Sequence, residues 1–277
     1  MTLCWNAMLT SALPAQTVGS VAALAGSTRA AGMGGSGAAI VGDAGALFAN
    51  PAALATVHRL AVEASYESYP GGTTLATGAL ALRVGAWDWG AGVAALGQSY
   101  TAADVLAVST LVLRTGVVAL GGSAKYARET LAGARVDGWA GDLGLAIPVF
   151  DLMAFGVSVQ NIGGDRAGRA HLPRRTRAGF TLNYVDPQGT ARLLTTLEGQ
   201  WSPGQVAFVV LGVEGGVVAS GFGVLGRVGY VGHSSVTSAS PFTLGASLEL
   251  GRLHLDYAYR ADDQLGARHR MGFRWTP

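Results

Sequence analysis

Five histidines, His58, His171, His233, His254 and His269, are the side chains best suited to proton transfer near neutral pH. Nucleophilic catalysis needs one of them set beside a nucleophile. His233-Ser234-Ser235 falls in a turn-like stretch, and His254 and Asp256 share one face of a strand, where they read as a solvated ion pair. There is no HExxH motif, and Cys4 is the single cysteine, so neither a zinc site nor another metal site is expected. The glycines Gly32, Gly34, Gly35 and Gly37 are not followed by Lys-Ser or Lys-Thr, so they make no phosphate loop. The residues predict a non-enzyme with no catalytic residue and no cofactor. A net charge of +2 without a basic block argues against nucleic acid as a partner.

The charges that remain have a regular setting. Glu63, Arg83, Asp142, Arg177, Arg192, Glu198, Arg227, Glu249, Asp256, Arg268, Arg270 and Arg274 each lie opposite an apolar face in a two-residue alternation. On strands they all point to one side. Two readings stay open for them. They pair with one another and with an inserted segment, or they form a basic lining that biases passage toward anionic or amphipathic solutes.

The elements that carry these charges follow from composition and period. Only 13% of the 277 residues are charged, about half the ~25% of a soluble domain, and 42 are Gly. Such a chain is neither disordered nor a disulfide framework. The longest apolar stretch, Val105 to Leu120, is broken by Arg114 and Gly116 and cannot supply the ~20 residues of a membrane helix. From His58 onward the period is two. Leu253, Leu255, Tyr257 and Tyr259 alternate with His254, Asp256, Ala258 and Arg260; Met271, Phe273 and Trp275 alternate with Arg270, Gly272 and Arg274. Segments of this kind centre near Val62, Leu80, Gly92, Val108, Leu120, Leu143, Val157, Phe180, Leu194, Val210, Val224, Leu244, Leu255 and Phe273. Those at Val108 and Val210 are apolar on both faces. The polar faces are rich in Gly, Ala and Ser, unlike a wet sheet, and aromatics such as Tyr66, Trp87, Trp139, Tyr184, Trp201 and Trp275 sit near segment ends. This is the pattern of an all-β, transmembrane antiparallel β-barrel of about fourteen strands over residues 58–277.

Residues 1–18 resemble the later part of a secretory signal, with no basic residue ahead of the apolar part, and read as a leader that takes Cys4 with it. Residues 19–57 lack alternation. Asp43 is placed to cap a short helix over Ala44 to Ala49, and Asn50-Pro51 forces a turn before a second helical turn through Ala52 to Ala55. The segment is small-residue rich, and so are the inward faces at Gly90, Gly92, Gly121, Ser123, Gly144, Ala146, Gly223 and Gly245. Small against small predicts that Gly32 to Ala55 plugs the barrel.

The stretch GMGGSGAAIVGDAGALFANPAALA, with Met33-Gly34-Gly35, Asp43-Ala44, Asn50-Pro51-Ala52 and Leu54, resembles the N-terminal signature of the PorV/PorQ proteins and the wider FadL-like outer-membrane transporters. GVSVQNIGG at 156–164 and the segment 244–273 are similar to the PorV/PorQ group. The resemblance implies a fourteen-stranded outer-membrane barrel with an N-terminal plug. It implies a gating role for Asp43, Asn50, Pro51 and Ala52. The chain is short for such a family, so long extracellular loops are expected to be absent.

Two functions follow as expectations. One is passive transport of small hydrophobic or amphipathic molecules across the outer membrane of a Gram-negative-type bacterium, with lipid around the barrel. The other is an accessory barrel of type IX secretion that binds secreted protein cargo. The register further predicts that Leu255→Arg is costly, because it points into lipid, and that Asp256→Ala is much cheaper, because the lumen is polar.

Overall fold

The computed structural model describes residues 21–40, 42–98, 103–131, 133–149, 152–164, 170, 172–186, 189–232, 239–262 and 266–277. The leader 1–18, and with it Cys4, lies outside the described residues, as do His171 and His233.

Fourteen strands follow an N-terminal segment: β1 (Leu60–Ser68), β2 (Thr74–Val84), β3 (Trp87–Gly97), β4 (Asp104–Thr115), β5 (Val118–Leu131), β6 (Ala134–Val149), β7 (Met153–Ile162), β8 (Arg175–Val185), β9 (Ala191–Trp201), β10 (Phe208–Ala219), β11 (Phe222–Val231), β12 (Phe242–Leu250), β13 (Leu253–Arg260) and β14 (Arg268–Trp275). Each expected centre falls within one of them. Every strand pairs antiparallel with its sequence neighbours. β1 closes the barrel on β14 with Val62 opposite Trp275 and Tyr66 opposite Met271. Closure leaves no strand edge unpaired, which a lipid environment requires.

The two rims differ. At the rim where β1 starts and β14 ends, connections such as 85–86, 116–117, 220–221 and 251–252 are two-residue turns, with Gly85, Gly116, Gly221 and Gly251 at positive φ. At the opposite rim the chain runs through 98–103, 163–174, 202–207, 232–241 and 261–267. The first is the turn rim and the second the loop rim.

The outer face is apolar. Val93, Leu111, Leu143, Val157, Leu182, Leu211, Val228 and Leu255 all stand exposed on it. Trp87, Tyr184 and Trp275 ring it at the turn rim, and Tyr66, Trp139, Trp201 and Tyr230 at the loop rim. A continuous apolar surface of this extent is not viable in water. It is the exterior of a membrane-spanning barrel, with aromatic girdles at both ends.

β4 and β10 look apolar on both faces for a simple reason. Leu106, Val108 and Val112 of β4 and Val210 of β10 are buried on the inner face, against apolar parts of the N-terminal segment. One irregularity breaks the ladder. Gly141 pairs with Ile162 but Leu143 with Val159, so β7 carries an extra residue at Gln160–Asn161, and Asn161 adopts φ 58°.

Candidate functional site

Residues 21–57, Val41 apart, pack against the inner faces of the strands. α1 (Val21–Leu24) and α2 (Thr28–Gly32) are followed by two 3-10 turns, Ala44–Phe48 and Pro51–Thr56. The two 3-10 turns press on β1 to β7, whereas α2 faces β11 to β14. Glycine on the wall makes this approach possible. A Cβ on Gly92 would stand 2.7 Å from the Phe48 ring and 2.8 Å from Leu47, and one on Gly121 would stand 2.7 Å from the Pro51 carbonyl carbon. The Asn50 carboxamide occupies the place of a Cβ on Gly144, and Gly245 faces Gly32. Gly223 differs from expectation. Its missing Cβ would meet Val218 and Glu249 on the wall, so it makes room for strand neighbours and not for the segment. Gly156, Gly212, Gly229 and Gly272 receive Ala38, Met33, Gly34 and Thr28 in the same way; the period alone sets Gly272 on the inner face, and the other three are not among the residues expected there.

The two sides of the segment are held by different forces. Toward β1 to β7 the contact is apolar. Leu47, Phe48, Ala52 and Leu54 share one buried cluster with Leu75, Ala79, Ala94, Leu106, Val108 and Val112. Toward β10 to β14 it is ionic. Arg29 of α2 donates to Glu214 at 2.8 and 2.6 Å and to Asp43 at 3.3 Å. Arg227 donates to Glu214 at 2.6 Å and to Asp256 at 2.8 Å. Arg274 donates to Asp43 at 2.8 Å and lies 3.5 Å from Asp256. The six groups close a ring of alternating sign, Arg29–Glu214–Arg227–Asp256–Arg274–Asp43, in which all six residues are buried. Burying charge is tolerable only with such full pairing. Two members belong to the N-terminal segment and four to the wall.

Backbone groups of the segment find wall partners as well. Glu198 accepts from Gly37 N and Ala38 N, both at 2.7 Å, and from Arg177 at 2.9 Å. Arg177 also donates to Gln160 and to the Gly35 carbonyl, each at 3.0 Å. Gln160 donates to the Phe48 carbonyl at 2.6 Å and Ser158 to that of Ala49 at 2.7 Å. Glu63 accepts from Thr28 N at 3.3 Å and Gly45 N at 2.9 Å. Arg270 donates to Glu67 at 2.7 Å and to the Gly26 and Leu24 carbonyls at 3.1 and 3.0 Å. These contacts satisfy backbone groups that no helix or ladder reaches.

Asn50 works in both directions. Its side-chain oxygen accepts from Ala52 N at 3.0 Å, the cap contact expected at a turn ahead of Pro51. Its amide donates to the Ala38 carbonyl at 2.6 Å and, across to the wall, to that of Leu145 at 3.2 Å. Asp43 departs from expectation. It stands at the cap position of Ala44–Phe48 but makes no cap bond, because Ser27, Arg29 and Arg274 take its carboxylate.

The remaining anticipated charges are placed as follows. Asp142 is buried against Lys125 at 2.7 Å and accepts from Asn161 N at 2.8 Å. Arg83 lies toward the turn rim, 3.3 Å from Asp88, and reaches the Ala55 carbonyl. Arg192 is on the inner face but at the turn rim, half exposed and 3.9 Å from Glu249. Glu249 meets His254 at 3.2 Å. His254 and Asp256 therefore do not form the solvated pair read from their spacing: His254 turns to Glu249, and Asp256 is buried in the ring. Arg268 lies over the Tyr69 ring at 5.8 Å.

Arg29, Glu67, Lys125, Gln160 and Glu214 are absent from the sequence reading although each contacts the segment or a buried charge. Arg29 had a usable signal, being the single charged residue between positions 19 and 42. Glu214 sits on β10, where apolar residues on both faces hid the alternation.

Above the segment, toward the loop rim, lies a cavity of about 290 Å³. Its floor is Ala23–Ser27, Ala30, Ala31 and Ile40; its wall includes Tyr69, Arg175, Phe208, Val231, Tyr259 and Arg268. No group of three or more metal-ligating side chains occurs among the described residues.

No protein-family model matches the chain, and no curated protein sequence matches it. Solved structures do. The Ralstonia pickettii toluene transporter TbuX is similar over 91% of this chain and 99% of its own, at 15% identity and TM-score 0.62. The CymD monoaromatic hydrocarbon channel is similar over 92% and 98%, at 11% identity and TM-score 0.63. A Pseudomonas aeruginosa FadL homologue is similar over 91% and 98%, at 12% identity and TM-score 0.61. At these identities the likeness establishes a shared fold, and the chain has the closed fourteen-stranded barrel of these transporters and channels.

Proposed function

We propose that the protein is an outer-membrane barrel of Gram-negative-type bacteria that passes small hydrophobic or amphipathic molecules, with residues 19–57 as its plug and no enzymatic activity. The observation that carries this reading is the part-apolar cavity at the loop rim, floored by a segment held apolar on one side and ionic on the other. A solute held there needs only a shift of the segment, or a side opening in the wall, to continue. In this reading the turn rim faces the periplasm and the loop rim the exterior, as barrels place their short and long connections. The names of the similar structures, toluene and monoaromatic hydrocarbon transporters, agree with a small apolar solute. Holding a secreted protein asks for a broad loop platform. In the longest stretch between strands, 163–174, the described residues Ala170 and Leu172 are buried, which favours transport over the PorV/PorQ-type secretion role.

The test is reconstitution into liposomes with toluene and a neutral sugar of similar mass as solutes. Faster toluene entry than in protein-free liposomes, with the sugar excluded, is the expected result. Equal entry of both, or of neither, would overturn the reading.

A further inference from the structure

The cavity at the loop rim holds more positive charge than its own carboxylates consume. Asp43 and Glu67 reach it, but Asp43 is held by Arg29 and Arg274, and Glu67 by Arg270. Arg175 and Arg268 line the same cavity, and among the described residues neither side chain makes an ion pair or a hydrogen bond, Glu198 acting on Arg175 only from beyond contact and already held by Arg177. The Nε of Arg268 is buried with no acceptor, and its guanidinium rests over the Tyr69 ring. A buried guanidinium donor without an acceptor is costly, and an incoming anion removes that cost. Phe208, Val231 and Tyr259 give the wall an apolar part, beside the polar Gln200, Thr243 and Arg260. A volume of about 290 Å³ lies at the bottom of the range for small-molecule sites and suits one ring, not a long chain.

The geometry points to a binding site for a small aromatic carboxylate, its carboxylate between Arg175 and Arg268 and its ring against Phe208 and Val231. The inference rests on the transport reading for its purpose, but the site is defined by the cavity alone. It narrows the solute from a neutral hydrocarbon to a compact organic anion. The plug floor then has a second role, since it closes the cavity from below while the two arginines select what enters.

The experiment is calorimetric titration of the purified full chain, in nonionic detergent, with sodium benzoate and with benzyl alcohol, its neutral analogue of similar shape. Benzoate is expected to bind more tightly. Raising NaCl from about 50 to about 500 mM should weaken benzoate and leave benzyl alcohol unchanged. Arg175→Gln and Arg268→Gln should each weaken benzoate about tenfold, while Arg128→Gln on the outer surface should not. Benzyl alcohol binding as tightly as benzoate would overturn the inference. So would benzoate affinity unchanged in both variants. If the variants do not fold, the wild-type comparison of the two ligands and its salt dependence decide alone. Toluene crossing liposomes without benzoate binding would remove this site and leave the transport reading; benzoate binding without any solute crossing would do the reverse.

Discussion

Arg274, on the strand that closes the barrel, grips Asp43 in the N-terminal segment at 2.8 Å, across 231 positions of sequence. The contact ties the segment to the seam between β14 and β1. It also completes the six-membered ring, since Arg274 lies 3.5 Å from Asp256 and Asp43 lies 3.3 Å from Arg29. Removing the carboxylate with Asp43→Asn leaves three buried arginines facing two acids. Breaking one partner of a buried pair costs about 3–5 kcal/mol. The segment should loosen on the ionic side, seen as raised single-channel conductance in a planar bilayer. Arg274→Gln added to Asp43→Asn should recover part of the loss, because the ring is then balanced again. A double variant as leaky as the sum of the two singles would show that the groups act independently.

Leu255→Arg and Asp256→Ala probe adjacent residues on opposite faces. The arginine points into lipid and costs about 2–4 kcal/mol near the midplane. The alanine is not the cheap change that a polar lumen implies, since Asp256 holds Arg227 at 2.8 Å inside the ring and its loss leaves three buried arginines facing two acids, at about 3–5 kcal/mol. The two differ in what they disturb. Leu255→Arg should lower the urea midpoint of barrel unfolding with conductance unchanged, whereas Asp256→Ala should lower the midpoint and raise conductance. Conductance changes from Leu255→Arg alone would mean that the assigned faces are reversed.

Gly144→Val should act through Asn50. A side chain at Gly144 takes the space of the Asn50 carboxamide, which then loses the Ala38 and Leu145 carbonyls. The Ala38 carbonyl left unpaired costs about 1–3 kcal/mol, whereas that of Leu145 lies within the β6 ladders. Asn50→Ala removes the same bonds without the clash. Limited proteolysis should therefore cut residues 42–57 faster in both variants than in the wild type, with Gly144→Val the more sensitive. Equal resistance in all three would mean that this contact does not hold the segment.

How much of this was legible beforehand depended on what each strand faces. β12, β13 and β14 look inward on polar partners, so Thr243, Ser247, Asp256, Arg270 and Arg274 alternate cleanly with apolar residues and the faces read off directly. β4 and β10 look inward on the apolar N-terminal segment, so Val108 and Val210 blurred the same rule. The inner position of Arg227 and Asp256 followed from period alone, but their partners did not. The ring draws Glu214, Arg227, Asp256 and Arg274 from β10, β11, β13 and β14 and two more groups from the segment. Pairing across a curved wall has no signature along the chain. The bulge at Gln160–Asn161 was invisible for a related reason, because it compensates a register that exists only once β6 and β7 meet.

Deletion of residues 19–57 tests the plug itself. Without Arg29 and Asp43 the wall keeps an alternating row, Glu214–Arg227–Asp256–Arg274, with Arg227 between its two acids at 2.6 and 2.8 Å. Arg177–Glu198, Arg270–Glu67 and Lys125–Asp142 likewise lie wholly on strands. Glu63 alone of these buried charges loses its hydrogen bonds, those from Thr28 N and Gly45 N, and water in the opened lumen replaces them, so the barrel should still assemble, as the closed β1–β14 pairing involves no residue of the segment. The apolar patch around Leu75, Leu106, Val108 and Val112 would be wetted, but water in a wide lumen reaches it without breaking a hydrogen bond. An open, water-filled path should result, seen as conductance well above that of the full chain, which is expected to be near zero. Because the wall charges cancel locally, selectivity should be weak, with a slight anion preference from Arg175 and Arg268 near the loop rim. The reversal potential across a KCl gradient measures it. A deleted barrel that stays closed would refute the plug, and a strongly cation-selective one would contradict the charge balance of the wall.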